Sequence, residues 1–448
     1  MKKPIKITLL TLASLLGAIV LTVGGYVGYV AVTYSRLGNQ PLEVTSRSSL
    51  SLNQSDIGSK TLTISTYNIG FGAYDRDYSF FMDVGSYKEM YQSSHDEVVT
   101  TGKYARAVSK ERAQVNTVGA FATIAGLKDN NDQALPVDFA LYQEVDTESN
   151  RAHDINQLNV GIETHQYFDY VHAINFHSAY LAYPLSDPIG KSTSGIATFS
   201  RYQIDESDRH EFTVSTAFPT KYFDLDRCFS VSKIAIEGST RSLFIFNVHL
   251  SAYDASGLIR AAQMVELKAA IAEARDLDGE NNYVIVGGDF NHDLVIDHPT
   301  IDPTTASWWN QYEQDGMKAD WYNYLRLDDA KDGQTVTNLK TGVNETYVAD
   351  LKNTGMTVYT DPSIPTCRDA SIPFQDEDNN GILDNFACVI DGFLVSDNIS
   401  VDHVQTVGSG PNGSQTENLS SSHPGYGLGF VYSDHNPVYL QFVLDTIA

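Results

Sequence analysis

From Ile7 to Val32 no charged residue interrupts the chain, and Lys2, Lys3 and Lys6 stand just ahead of it. An apolar run of that length predicts a helix that crosses a bilayer, and basic residues on its near side hold that side in the cytoplasm. A cleaved signal has a shorter apolar stretch and a small-residue cleavage site, so the reading is an uncleaved anchor over residues 1–33, with cleavage and secretion as the alternative. Tyr34 to about Lys60 is rich in Ser, Asn, Gln and Gly and has no helical period, which predicts a tether over 34–60. From Thr61 to the end, 61–448, short apolar runs alternate with longer periodic ones and no second linker intervenes. Val115, Val118, Phe121, Ile124 and Leu127 recur every third residue and predict a helix from Ser109 to Leu127 with these on one face; a second is predicted from Ala255 to Arg275. Runs rich in β-branched and aromatic residues predict strands, each beside a polar residue: Leu62 to Asn68, Val137 to Glu144, Leu243 to His249, Tyr283 to Asp289, and the segments around Asp391 and Tyr432 to Pro437. Strands and helices in alternation give a layered α/β domain.

Two stretches rich in aromatic and acidic residues, Ala73 to Lys103 and His298 to about Phe386, read as insertions on that scaffold, suited to lids or substrate walls. Inside the second, Asp376-Glu-Asp378-Asn-Asn380-Gly381 spaces oxygen atoms like the start of a calcium loop. Position twelve holds Ala387 in place of the bidentate Glu, so an acidic turn is the better reading. Composition narrows the function. Asp and Glu number 56 against 30 Lys and Arg, a formal charge of −26, so the average field repels polyanions and excludes a broad nucleic-acid-binding face. A bound divalent cation reverses the potential locally, which leaves a phosphate-handling site open. Cys228, Cys367 and Cys388 lack zinc spacing; either Cys367 pairs with Cys388 across a short loop, or all three are buried thiols.

The polar residues beside the strand runs carry the chemistry. Hard divalent cations take oxygen ligands, and Asn68 and Glu144, each closing a strand, offer them. Phosphodiester cleavage needs an oriented water, a proton acceptor and donors for charge growing on the phosphoryl oxygens. Asp289 and Asn291, two apart, supply a carboxylate and an amide from one turn, and His249 and His435 titrate near neutrality.

Asn68, Gln143-Glu144-Val, Asn247-Val-His249, Gly288-Asp289-Phe-Asn291, Asp391 and Ser433-Asp434-His435-Asn-Pro437, in this order, resemble the motif set of the endonuclease/exonuclease/phosphatase superfamily. That superfamily includes deoxyribonuclease I, abasic-site endonucleases, neutral sphingomyelinases and inositol polyphosphate 5-phosphatases. The resemblance runs from about Thr61 to Val443. It implies a four-layer α/β sandwich, two packed mixed β-sheets flanked by helices, with the site at their shared edge. It further implies Asn68 and Glu144 as Mg²⁺ ligands, with Mn²⁺ or Ca²⁺ as alternatives, and Asp434 near or at the metal. Asp289 and Asn291 would position the attacking water and bind phosphate, His249 would polarise the phosphate or act as general acid, and Asp391 would pair with His435. Whether Asp289 or His435 takes the proton stays open.

The implied function is a divalent-metal-dependent phosphohydrolase, a phosphodiesterase acting outside the cytoplasm from the cell membrane. Its substrate would be nucleic acid or phospholipid. The deoxyribonuclease I branch carries an arginine directly after Gln-Glu-Val; here Asp146 stands, and a carboxylate there would repel backbone phosphates. The carboxylate that partners the first histidine in that branch has no counterpart in the sequence pattern. The rival reading is a catalytically inactive surface binding module on the same fold.

Overall fold

The structure, a computed structural model, describes residues 3–82, 84–87, 98–129, 132–216, 226–252, 258–292, 294–295, 335–337, 344–346, 354–368, 387–410, 415–423 and 425–446. The chain opens with helix α1 (Lys3–Thr33) and two short strands, β1 (Gln40–Pro41) and β2 (Leu52–Asn53), then β3 (Leu62–Asn68), β4 (Val84–Tyr87) and β5 (Val98–Thr101). Helix α2 (Lys110–Ala125), β6 (Phe139–Asp146), α3 (Gln157–Thr164), β7 (Asp169–His177), β8 (Thr193–Ser200), β9 (Glu206–Glu211) and β10 (Cys228–Glu237) follow. Next are β11 (Ser242–His249), α4 (Leu258–Asp276), β12 (Tyr283–Asp289), β13 (Thr335–Thr337), β14 (Asn344–Thr346) and β15 (Met356–Tyr359). Last come β16 (Cys367–Arg368), β17 (Ala387–Cys388), β18 (Asp391–Ser396), β19 (Ile399–Thr406) and β20 (Val438–Leu444).

Among the described residues two large mixed sheets form. One runs β1-β9-β10-β11-β12-β18-β15 with β2 beside β10, and the other runs β19-β20-β3-β6-β8-β7. A parallel pair lies near the centre of each, β11 with β12 and β3 with β6, and β2 adds a second parallel pairing to the first sheet beside β10; the other pairings are antiparallel. The unbroken apolar runs of the sequence are explained by burial on both faces. In β11, Leu243 and Ile245 face the other sheet and join Leu62, Ile64, Phe139, Ile285 and Leu440, whereas Phe244, Phe246 and Val248 face α4 with Met264, Leu267 and Ile271. On the far side Ala140, Tyr142 and Phe199 pack on Phe121 and Ile124 of α2. Helix, sheet, sheet and helix are the four expected layers.

Two expectations change and one open alternative closes. The α2 face is only half the predicted one: Phe121, Ile124 and Leu127 are buried, but Val115 is 62% and Val118 46% exposed, and the buried side is completed by Ala113, Asn116, Thr117 and Ala120. A strict spacing of three drifts by about 60° per step on a helix of 3.6 residues per turn, so Val115 and Ile124 end on opposite sides. The tether is laid along the domain instead. Gln40 pairs with Arg209, Leu52 with Ile236, and Leu52 is fully buried. Of the two readings for the cysteines the structure has the second: Cys228, Cys367 and Cys388 are buried and form no disulfide, with Cys367 directly opposite Cys388 across β16 and β17. The calcium-like segment 376–384 lies outside the described residues, as does most of the second insertion.

Candidate active site

Parallel strands end at the same side of a sheet, and antiparallel neighbours begin there. Asn68 and Glu144 therefore stand at the ends of β3 and β6, and His249 and Asp289 are register partners at the ends of β11 and β12. Asp391, register partner of Asp289, opens β18, and Ser433 to His435 precede β20. The polar residue at Asp391 or His435 thus begins a strand rather than closing one, as the antiparallel direction of β18 and β20 demands.

Local backbone irregularities aim the side chains. In β6 the register with β8 shifts between Tyr142 and Val145, and Glu144 has φ 58°. Such a bulge adds one residue to the alternation: Tyr142 and Val145, three apart, both pack on the outer face, and Glu144 is turned out to the edge. Two glycines allow close approach. A Cβ at Gly288 would sit 2.1 Å from the Val248 carbonyl oxygen, and at Gly70 (φ +51°) it would meet the Asp434 carboxylate at 3.0 Å. Beneath the site Gln143 donates to Asn247 Oδ1 at 2.8 Å, and Asn247 donates to the Ala197 carbonyl at 3.0 Å, so a fully buried amide pair bolts the two sheets together.

Asp289 is the hub. Its Oδ2 accepts from Asn68 Nδ2 at 3.0 Å and lies 3.4 Å from His249 Nε2 and 3.7 Å from His435 Nε2; its Oδ1 accepts from the Asn291 amide at 2.9 Å. Asn68 also donates to Glu144 at 3.4 Å, its Oδ1 accepts from Gly70 N–H, and its carbonyl accepts from Ser433. His435 Nδ1 is 2.8 Å from Asp391 Oδ2, and the Thr366 hydroxyl accepts from the Asp391 N–H at 3.1 Å. One donor atom each from Asp289, Asp391 and His435 falls within 4.8 Å of the others. Asn291 is at the same turn, but its side chain donates to the Leu250 carbonyl. Asp434 leans on Ser433 at 3.2 Å, next to Gly70. The eight predicted residues are gathered at one edge.

Charge is unbalanced there. Burial pushes the Asp289 and Asp434 carboxyls up to about 6, with neighbouring Asp391 and Glu144, respectively, adding to the rise. Burial opposes charge on His435, yet Asp391 and Asp289 outweigh it and hold the imidazole well above the usual histidine range. Burial, reinforced by the charges of Arg227, His435 and Arg151, keeps His249 well below that range and so neutral. Among the described residues His249 Nδ1 has no hydrogen bond.

Sequence reasoning misjudged Asp146. It is fully buried and held by Arg151 through bonds of 2.9 and 2.8 Å, so it presents no free charge to a phosphate. Arg151 also lies 4.0 Å over the Phe71 ring, behind the Glu144 edge. Neither Arg151 nor Thr366 was identified. The signal available for Arg151 was its position five residues beyond Asp146, on the turn that follows β6.

No family model and no curated protein matches the sequence. Among solved structures, an endonuclease/exonuclease/phosphatase family protein from Bacteroides thetaiotaomicron is 15% identical, covering 87% of this chain and 99% of that one with a TM-score of 0.42. TDP2 from Caenorhabditis elegans is 13% identical over 88% of this chain and 77% of that one, TM-score 0.41. A mannosyl-6-phosphatase of B. thetaiotaomicron is 16% identical over 85% and 99%, TM-score 0.41. All three are endonuclease/exonuclease/phosphatase-family structures, and the overlap with each is low in identity and in superposition.

Proposed function

We propose that this chain is a divalent-metal-dependent phosphodiesterase of the endonuclease/exonuclease/phosphatase type, held by α1 in the membrane with its catalytic domain outside the cytoplasm. The observation that carries the reading is the convergence of Asn68, Glu144, His249, Asp289, Asp391 and His435, from strands of both sheets, on one buried edge.

The donor set suits a hard cation. Glu144, Asp289, Asp391 and Asp434 bring four carboxylates together, and among the described residues the buried Asp391 Oδ1 meets no hydrogen-bond geometry, with the Thr366 hydroxyl beside it. Uncompensated carboxylates in a low-dielectric site are costly, and a divalent ion removes that cost. Glu144 and Asp434 would hold Mg²⁺, with Mn²⁺ or Ca²⁺ as substitutes, and Asn68 would hold it through its amide oxygen or orient Glu144 by donation. When bound, the ion supplies charge neutralisation at the phosphoryl oxygens.

The side chains divide the remaining work. Asp289, held by Asn68 and by the Asn291 amide, takes the proton of the attacking water, since beside it His435 already carries its own. His435, oriented through Nδ1 by Asp391, presents a cationic Nε2 to the phosphoryl group. His249, neutral by burial, serves as a hydrogen-bond donor to a phosphoryl oxygen rather than as the acid. Asn291 fixes the turn.

The test is hydrolysis of bis(4-nitrophenyl) phosphate by the full chain in detergent. Excess EDTA should abolish it and Mg²⁺ restore it; Asp289→Ala and His435→Ala should each lower kcat by about 10²- to 10⁴-fold. No hydrolysis with Mg²⁺, Mn²⁺ or Ca²⁺ by folded protein would leave the inactive binding module as the reading.

A further inference from the structure

The anchor helix is seated on the catalytic side of the domain. β6 ends at Asp146, opposite Ser194 at the start of β8, and Thr193 lies opposite His177 at the end of β7. The connection from β7 to β8 therefore leaves and returns at the edge that bears Glu144, two strands or about 10 Å to the side. This connection meets α1. The Tyr26 hydroxyl donates to the Tyr180 carbonyl at 3.1 Å and accepts from the Ala182 N–H at 3.0 Å, and the Tyr29 hydroxyl accepts from the Tyr180 N–H at 3.1 Å. Just beyond the helix, Ser35 bonds His177 at 3.0 Å and Arg36 pairs with Asp226 at 3.0 Å. The turn after β6 is tied to the same connection through Thr147 N–H to the Thr193 carbonyl and Asn150 N–H to the Lys191 carbonyl.

The length of α1 gives this contact a depth. About twenty helical residues cross the roughly 30 Å hydrocarbon core, so a crossing that starts at Ile7 reaches the far interface near Tyr26. Tyr26 and Tyr29 then occupy the level where tyrosines collect at a membrane surface. The backbone they bond is at that level too. There Tyr183 and Leu185 are 68% and 86% exposed, so the loop presents two apolar side chains at that level.

We propose that the loop from Tyr180 to Leu185 rests in the outer headgroup layer of the bilayer that α1 crosses, and seats the catalytic edge against the membrane. The substrate is then the phosphodiester of a lipid headgroup, an assignment that rests on the phosphodiesterase reading above. The water-facing alternative puts the same residues in bulk solvent and gives the tyrosine contacts no consequence.

The test uses the full chain in vesicles of phosphatidylcholine and sphingomyelin. The three native cysteines are buried, so Leu185→Cys accepts a single bimane label, and Glu237→Cys, at the opposite edge of the sheets, serves as control. Lipid carrying a headgroup spin label should quench the Leu185→Cys probe strongly and the Glu237→Cys probe little; equal quenching overturns the proposed seating. Leu185→Asp should lower release of the lipid headgroup by about tenfold while hydrolysis of bis(4-nitrophenyl) phosphate is unchanged. Equal loss on both substrates, or no loss on either, overturns the lipid assignment. Quenching at Leu185→Cys without any aryl diester hydrolysis sinks the enzyme reading and leaves the membrane seating standing. Hydrolysis without quenching does the reverse.

Discussion

At the scale of single residues, Asp391 is the group whose role is best separated from the rest. It is fully buried and bonds His435 Nδ1 at 2.8 Å. Asp391→Asn keeps the size and removes the charge that holds the imidazole cationic, so kcat should fall by about 10²- to 10⁴-fold with KM little changed. The alkaline limb of the pH profile should also move to lower pH, because a histidine that loses its carboxylate partner gives up its proton more easily. An unchanged limb would remove the pair from the chemistry. Most of these residues were legible in the sequence because Asp, Asn and His beside apolar strands form an ordered series. Arg151 and Thr366 were not legible, since each acts by holding a partner that is remote in the fold or hidden by a turn. Asp146 was legible only as a charge, and its neutralisation by Arg151 is a fact of packing.

At the scale of elements, strands were easier to read than helix faces. A run such as Leu243 to Phe246 is apolar at every position because both of its faces are covered, and no choice of face is needed. On α2 a choice is needed, and the period of three was right for Phe121, Ile124 and Leu127 but wrong for Val115 and Val118. Ile124, fully buried against β6 and β8, should cost about 2–5 kcal/mol on replacement by Ala. Val115→Lys, on the exposed side, should shift stability by no more than about 0.5 kcal/mol. Urea titrations of the two variants in detergent check the assignment, and a larger loss for Val115→Lys would reverse it. The bulge at Glu144 was also unreadable, because alternation gives no hint of where a strand will slip by one residue.

At the scale of the whole molecule, acid stability has opposing contributions. Burial lowers His165 to about 4, where its Nε2 meets the Tyr142 hydroxyl at 2.8 Å. The unfolded chain protonates this residue near its ordinary 6.5 and the folded protein does not. Stability is therefore full above pH 6.5 and drains as pH falls toward 4, by up to about 3 kcal/mol. Asp289 and Asp434, raised from 3.8 to about 6, bind protons in the folded state first and act in the other direction between those values. The diagnostic quantity is thus the difference between the parent and His165→Phe, measured by urea unfolding at pH 7 and pH 4.5. The parent should lose more stability than the variant, and parallel losses would refute the burial argument. Sequence alone determined the N-terminal apolar helix and the layered α/β class, and it picked out the polar residues that meet at one sheet edge, because hydrophobic runs and the polar residues beside them are local properties of the chain. Tertiary structure decided which side of α2 is covered, that 34–60 is bound to the sheets, that Asp146 is cancelled by Arg151, and that α1 meets the connection from β7 to β8. Each of these depends on which distant segments meet, and a linear pattern does not carry the free energy of contacts between segments it does not bring together.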